Sequence, residues 1–154
     1  MTLQDLVKPE AVRVVTAASS KKRLIHELAE LAESAYGIDA ERAVDCLLDR
    51  EALGPTGVGQ GVALPHARLD GLDRMRGAFL LLEKPVDFDA VDRQPVDIAL
   101  ALFAPQTAGV EHLKALALVS RTLRDPSLCA KLRANPSPGK LHTILTEAQG
   151  VKAA

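Results

Sequence analysis

The sequence is poor in aromatic side chains and in long apolar runs. It contains no tryptophan, and its aromatic residues are one tyrosine and three phenylalanines, too few for the stacking platforms that hold single-stranded nucleic acids. The longest apolar run extends only from Ile98 to Ala104, whereas a membrane-spanning helix needs about 20 such residues. We therefore expect no nucleic-acid partner and no membrane insertion.

The chain also lacks an excess of either charge. It has 19 Lys and Arg against 20 Asp and Glu, a formal net charge of −1, and no block of like charge, which argues against the basic face of a nucleic-acid binder. With 154 residues, 47% of them hydrophobic and 25% charged, it resembles an average globular domain. A single domain over residues 1–154, with its core over about 5–149, is the prediction.

Cysteine is scarce, and no secretion signal is recognisable. Cys46 and Cys129 stand far apart in apolar, helix-like stretches without metal-ligand spacing, so we expect buried free thiols rather than a disulfide. Charged residues interrupt every apolar run of the first 15 positions, MTLQDLVKPEAVRVV, unlike a signal peptide. A cytoplasmic protein is expected.

The hydrophobic spacing predicts helices and strands in irregular alternation. Helices are expected after the caps at Ser20 and Asp39, ending at Gly37 and Gly54, then over 109–124 and after Asp125-Pro126 and Ser137-Pro138. Strands are expected over 62–64, where Pro65 ends the strand, over 77–83 and 96–103, with 86–88 as a short edge piece. Without regular βαβ alternation, the fold class is α/β in the α+β sense, a mixed β-sheet flanked by helices.

A glycine-rich segment, GPTGVGQGVALPHAR over 54–68, leads directly to His66. The sequence thereby places His66 at a strand end, where open sheets commonly hold their sites. Arg50 ends the helix before this segment, and His112 opens the long helix after another loop. His26 and His142 lie within helices, and we expect both to be solvated surface histidines.

Two interpretations of these residues are open from spacing alone. The structural interpretation makes the glycines a bulged turn, His66 a hydrogen-bonded strand-end residue and Arg50 a neutraliser of its helix end. The chemical interpretation is phosphoryl transfer, because a neutral imidazole is a good nucleophile near pH 7. Such transfer needs donors for the phosphoryl oxygens: the Arg50 fork, the His112 N–H, and the backbone amides of the turn at Thr56, Gly57, Gly59 and Gly61. No cofactor and no metal are expected, since the chain has no obvious carboxylate motif for Mg²⁺.

Several motifs, in one register, resemble a known family. The chain is similar to the enzyme IIA components of the bacterial phosphoenolpyruvate-dependent phosphotransferase system, of the fructose/mannitol type, and its opening LVKPEAVRVVTAASSKKRLIHELAELA resembles the nitrogen-regulatory branch. Pro55 departs from the pattern, because relatives commonly have Ser there. The matching residues are Arg50-Glu51, Gly54 and Thr56 to His66, Phe88 to Asp92, Gln94 to Asp97, Glu111 to Leu113, and Leu116-Ala117.

The resemblance implies a fold, an activity and roles for three side chains. His66 would be the histidine phosphorylated on Nε2 by a histidine-phosphorylated carrier protein (NPr/HPr-like), Arg50 would hold the phosphoryl oxygens, and His112 would support His66. The implied fold is a mixed sheet flanked by helices. The implied function is a nitrogen-regulatory EIIA protein that regulates target proteins according to its phosphorylation state.

Two other functions remain open at this point. A sugar-specific EIIA of the fructose or mannitol type would use the same three residues and pass its phosphate to an enzyme IIB. A metal-dependent hydrolase would use His66 and His112 as ligands with Asp70 or Glu111, although neither common His-His ligand spacing is present.

Overall fold

The computed structural model describes residues 1–153, with side chains through Glu147. Within this range the helices follow the predicted order, preceded by a short N-terminal helix and a 3₁₀ turn at Pro9–Ala11. The helices are α1 Leu3–Leu6, α2 Lys21–Tyr36, α3 Ala40–Leu53, α4 Val110–Leu123, α5 Pro126–Ala134 and α6 Pro138–Ala153. The strands are β1 Val12–Val15, β2 Gly57–Gly59, β3 Val62–Ala63, β4 His66–Leu69, β5 Arg76–Val86 and β6 Val96–Pro105.

The predicted caps form. Ser20 and Asp39 accept backbone N–H bonds from Arg23 and Arg42 at the starts of α2 and α3, satisfying donors that the helices leave unpaired. Gly37 ends α2 with a left-handed φ of 73°, a conformation that glycine adopts without steric cost.

In the described range all six strands join one mixed sheet. Its order is β1-β5-β6-β3-β2, and β4 pairs with β6 beyond β3. β5 and β6 are antiparallel, whereas β1 runs parallel to β5, and both β3 and β4 run parallel to β6. The expectation of a mixed sheet flanked by helices is confirmed.

Helices cover both faces of this sheet. One face packs against α2 and α3, and the other packs against α1, α4, α5 and α6. From Phe79 to Leu82 the residues of β5 alternate between the two cores, with Phe79 and Leu81 on one side and Leu80 and Leu82 on the other. Burial on both faces explains why β5 and β6 read as continuous apolar runs.

The strand predicted over 62–64 does end before Pro65, but the structure adds an unpredicted strand directly after this proline. The chain returns at once to an extended conformation and forms β4. β3 and β4 therefore pair one after the other with the same edge of β6, both parallel to it. Pro65 lies between them and needs no N–H there, while its carbonyl accepts the N–H of Leu102 at 2.9 Å. His66 therefore begins a strand, at the interruption between β3 and β4.

Two further strand expectations change. The expected edge piece over 86–88 is not separate, because Val86 ends β5 and pairs with Val96. The short strands β1 and β2 were not predicted, since their four and three residues are too few to show a period.

None of the helices in the described part of the chain has the length and apolar character to cross a membrane.

Candidate functional site

The half-buried ring of His66 has a hydrogen-bond partner at each of its two nitrogens, and the partner at Nδ1 decides the tautomer. Its Nδ1 lies 2.9 Å from the backbone carbonyl of Leu64. Because a carbonyl can only accept, Nδ1 carries the proton in the neutral ring. The lone pair of the neutral imidazole is therefore on Nε2.

Arg50 meets this Nε2 from the last turn of α3. Its Nε donates to His66 Nε2 at 3.3 Å, and its Nη1 donates to the carbonyl of Gly54 at 2.8 Å. Within the described residues this leaves Nη2 without a hydrogen bond to the protein. The guanidinium is thus fixed at one edge and open at another, an arrangement suited to an incoming anion.

His112 completes the cluster from the first turn of α4. Its ring centroid lies 5.7 Å from that of His66, with the planes tilted by 51°. The residue is buried, and its Nδ1 has no hydrogen-bond partner among the described residues. Since an unpaired buried N–H is rarer than an unpaired acceptor, we assign the ring proton to Nε2.

An open cavity of about 440 Å³ joins these residues. Arg68, two positions after His66 on β4, brings a second guanidinium to its edge and donates to the Gln106 carbonyl at 3.5 Å. The cavity is lined by Cys46, Asp49, Arg50, Leu53, His66, Ala67, Arg68 and His112. It is large enough for a phosphoryl group and remains open to a macromolecular donor.

Burial favours the neutral form of both histidines. It is the main cause that lowers the pKa of His66, and the Arg50 charge lowers that pKa further, while the Leu64 hydrogen bond and Glu51 act in the opposite direction. Burial also lowers the pKa of His112, assisted by His66 and Arg68. A lowered pKa keeps the Nε2 lone pair of His66 available at neutral pH.

The glycine turn lies beside the cavity rather than in its lining. None of Thr56, Gly57, Gly59 and Gly61 is among the lining residues. Gly57 packs against Ala90, where a Cβ would come within 2.8 Å of the Ala90 Cβ. Gly61, with φ +81°, approaches Arg133 and Asp97. These glycines therefore allow close packing against the neighbouring segment.

The other sequence candidates lie elsewhere. His142 is not simply solvated as expected: it is half-buried, and its Nε2 lies 2.9 Å from the Val7 carbonyl. His26 is also half-buried, in the groove between α2 and α3. Asp70 is 3.5 Å from Arg42 in a different cavity, and Glu111 does not line the His66 cavity.

Two side chains that line the cavity, Arg68 and Cys46, were not predicted from the sequence as site residues. Strand alternation would have placed Arg68 on the same face as His66, but β4 was not predicted. Helical spacing from Arg50 would have found Cys46, one turn earlier on α3. Cys46 and Cys129 are both free thiols, as expected, although only Cys129 is fully buried. The described residues contain no group of three or more His, Cys, Asp or Glu side chains placed to hold a metal ion.

Comparison with known proteins identifies relatives along nearly the whole chain. The model of the family described as "Phosphoenolpyruvate-dependent sugar phosphotransferase system, EIIA 2" matches residues 5–148. A protein named nitrogen regulatory protein from Bradyrhizobium diazoefficiens is 43% identical over 94% of this chain and 95% of its own length. A more distant relative, named the fructose-specific EIIA component of the PTS system in Haloferax volcanii, is 32% identical over 90% of each chain.

A solved structure shows the same fold. The crystal structure of the nitrogen regulatory protein IIA-Ntr from Neisseria meningitidis superposes with a TM-score of 0.86. The two chains are 34% identical, and the match covers 94% of this chain and 99% of the other.

Proposed function

The chain belongs to the EIIA 2 family of the phosphoenolpyruvate-dependent sugar phosphotransferase system and groups with its nitrogen regulatory proteins, and from this premise we propose that His66 is its phosphoryl acceptor. In this proposal a histidine-phosphorylated carrier protein of the NPr/HPr type is the donor. Regulatory target proteins then distinguish the phosphorylated from the unphosphorylated form.

The bonding of the His66 ring carries the proposal. Nδ1 is occupied by the Leu64 carbonyl at 2.9 Å, and Nε2 lies at the cavity with the Arg50 Nε at 3.3 Å. A histidine with a purely structural role would need no cation at its second nitrogen. The same arrangement presents a nucleophilic lone pair beside a group that binds phosphoryl oxygens.

The transfer step needs no proton to leave His66. Arg50 first gives up its bond to Nε2, and the Nε2 lone pair attacks phosphorus. The new N–P bond forms as the P–N bond of the donor histidine breaks, and that electron pair returns to the donor's nitrogen. Nδ1–H keeps its bond to Leu64, whose carbonyl dipole stabilises the positive charge that the ring gains.

Arg50 and His112 bind the phosphoryl oxygens in this proposal. Arg50 is already anchored on the Gly54 carbonyl, and preorganised donors cost little at the moment of reaction. His112 donates from Nε2. Direct phosphate contact by the backbone of Thr56, Gly57, Gly59 and Gly61 remains a prediction, and their absence from the cavity lining gives it no support.

The regulatory part rests on the charge change at an open surface. A phosphoryl group adds roughly two negative charges at a cavity flanked by Arg50 and Arg68. A partner that docks there meets a markedly more negative electrostatic potential in the phosphorylated state. A cytoplasmic location remains part of the proposal.

Transfer from a defined donor tests the site. The protein and its His66→Ala variant are incubated with phosphoenolpyruvate, enzyme I and the histidine carrier, then quenched in acid or in alkali and measured by intact mass. We expect one phosphate on the wild type, lost in acid, and none on the variant. A phosphate retained by the variant would contradict the assignment of His66.

The same material separates the regulatory function from sugar transport. Phosphorylated protein is mixed with enzyme IIB of the fructose or mannitol type. We expect the phosphate to stay on His66. Rapid transfer to IIB would favour the sugar-specific alternative, with the same three residues at work.

A further inference from the structure

The geometry points to Glu51 as a positioning residue that holds both hydrogen-bond partners of the His66 ring. Its importance for transfer rests on the proposed function, whereas its effect on the ring itself does not. Glu51 neither lines the cavity nor contacts His66. Its carboxylate acts through Thr56 and through the end of α3.

The Glu51 carboxylate is almost entirely enclosed, with its side chain 5% exposed. Lys21 lies 2.8 Å from Oε2, and Thr56 donates to the same carboxylate with its backbone N–H at 3.2 Å and with its hydroxyl. Lys21 also lies over the Phe88 ring, 4.7 Å from its centroid. Both oxygens are thus engaged, and the charge has a partner, as a buried carboxylate requires.

The first connection runs to Nδ1 of the ring. Glu51 holds Thr56, and the Thr56 carbonyl accepts the N–H of Leu64 at 2.9 Å. The carbonyl of this same Leu64 is the acceptor for His66 Nδ1. The position of Thr56 therefore helps to set the acceptor that decides which ring nitrogen carries the proton.

The second connection runs to Nε2. Gly54 lies between Glu51 and Thr56, and its N–H donates to the Glu51 carbonyl at 3.1 Å. Its own carbonyl accepts from Arg50 Nη1. By joining the two ends of this short loop, the Glu51 carboxylate fixes the carbonyl on which Arg50 rests. Small errors in the place of such a donor cost large factors in rate.

Hydrogen bonding, rather than charge, is the property that this role requires. Glutamine has the same shape and can accept from the Thr56 N–H while its amide donates to the Thr56 hydroxyl. Alanine removes both bonds. Neither change leaves Lys21 as a buried cation without a partner, because its side chain is partly exposed and lies 3.9 Å from Asp89.

The experiment compares Glu51→Ala, Glu51→Gln and a control, Glu41→Ala, an exposed residue of α3 outside the cavity. Nitrogen-15 NMR of the unphosphorylated protein reports the His66 tautomer, and rapid-quench mass spectrometry reports the rate of phosphate acceptance. We expect Glu51→Ala to mix the tautomers and to slow acceptance about tenfold or more. Glu51→Gln is expected to keep the Nδ1–H tautomer and to stay within about threefold of the wild-type rate.

Three results would overturn the inference. One is an alanine variant with unchanged tautomer and unchanged rate; another is a glutamine variant as impaired as alanine, which would assign the effect to charge. The third is a Glu41→Ala variant whose rate of phosphate acceptance falls as much as that of Glu51→Ala. If Glu51→Ala fails to fold, Thr56→Val, which deletes one donor to Glu51, tests the same changes on a smaller scale.

The NMR measurement of the His66 tautomer tests this inference separately from the proposed function. A wild type that accepts no phosphate from a competent donor would overturn the proposed function only. The tautomer of His66 in the Glu51 variants would still decide whether Glu51 positions the ring.

Discussion

The glycine-bearing part of the glycine-rich segment, residues 54–61, is held at both of its ends by a paired cation and carboxylate, but the two ends face different surroundings. At the first end Glu51, paired with Lys21, holds Thr56. At the other end Asp97 pairs with Arg133 through both carboxylate oxygens, and Arg133 Nη2 donates to the Gln60 carbonyl at 2.9 Å. In both, a cation and a carboxylate secure the backbone of a turn.

The difference lies in what each turn touches next. The first end leads through Leu64 and Gly54 to the two nitrogens of His66. The second end leads to the start of β6 and to α5, and its residues do not line the cavity. Similar local chemistry therefore serves the reacting group at one end and the packing of the sheet edge at the other. Changes at the two ends should consequently affect different measurements.

The largest effect short of losing His66 is expected at Arg50. Arg50→Lys keeps the charge but cannot contact His66 and Gly54 while presenting a further planar donor. We expect acceptance of phosphate to slow on the order of a hundredfold, measured by rapid-quench mass spectrometry. Equal rates for Lys and Arg would mean that the guanidinium only caps α3.

A smaller loss is expected at His112. His112→Ala removes one donor to the phosphoryl group and leaves His66 with Arg50, so acceptance should slow about tenfold without being abolished. The lifetime of the phosphorylated form should shorten as well. An unchanged rate and lifetime would reduce His112 to a packing role.

The pH profile should show a modest but directional effect. Burial lowers the pKa of His66, so its Nε2 lone pair stays free as pH falls through the ordinary histidine value of about 6.5. Acceptance should therefore decline only below that pH, and a midpoint above it would contradict the prediction. The profile is measured with the donor supplied already phosphorylated.

The same shift affects stability with a defined sign. Above about pH 6.5 both the folded and the unfolded chain hold these histidines neutral, and stability is unaffected. As pH falls below it, the two histidines take up protons in the unfolded chain but resist protonation in the folded chain, where their pKa values are lowered. The free energy of unfolding therefore decreases until those lowered pKa values are reached. Urea titrations at several pH values, repeated with His112→Ala, measure this effect.

The smallest effect on transfer is expected at the second end of the segment. Arg133→Met removes the pair with Asp97 and the bond to Gln60, and should lower the free energy of unfolding by about 1 kcal/mol because the pair is partly exposed. The acceptance rate should match the wild type. A loss comparable to that of Arg50→Lys would show that the two ends are not independent.

Helices were more predictable than the short strands. The caps at Ser20 and Asp39 and the exit at Gly37 are local chemistry, and they appear as expected. β4 was missed because its four residues follow a proline and depend on pairing with β6, which no local pattern reports. The structure brings together Arg50, His66 and His112, as the motifs suggested, whereas the glycines turned out to face Ala90 and Arg133.

By itself the sequence determined the helices, the buried central strands and the residue types suited to phosphoryl transfer, because caps, periodicity and motifs are properties of neighbouring residues. Tertiary structure decided which nitrogen of His66 carries the proton and which one presents its lone pair to the cavity. That choice depends on the Leu64 carbonyl and on Arg50, whose positions follow from the pairing of β3 and β4 with β6 and from the enclosed Glu51 carboxylate. Hydrogen-bond geometry between distant segments exists only once the sheet has formed.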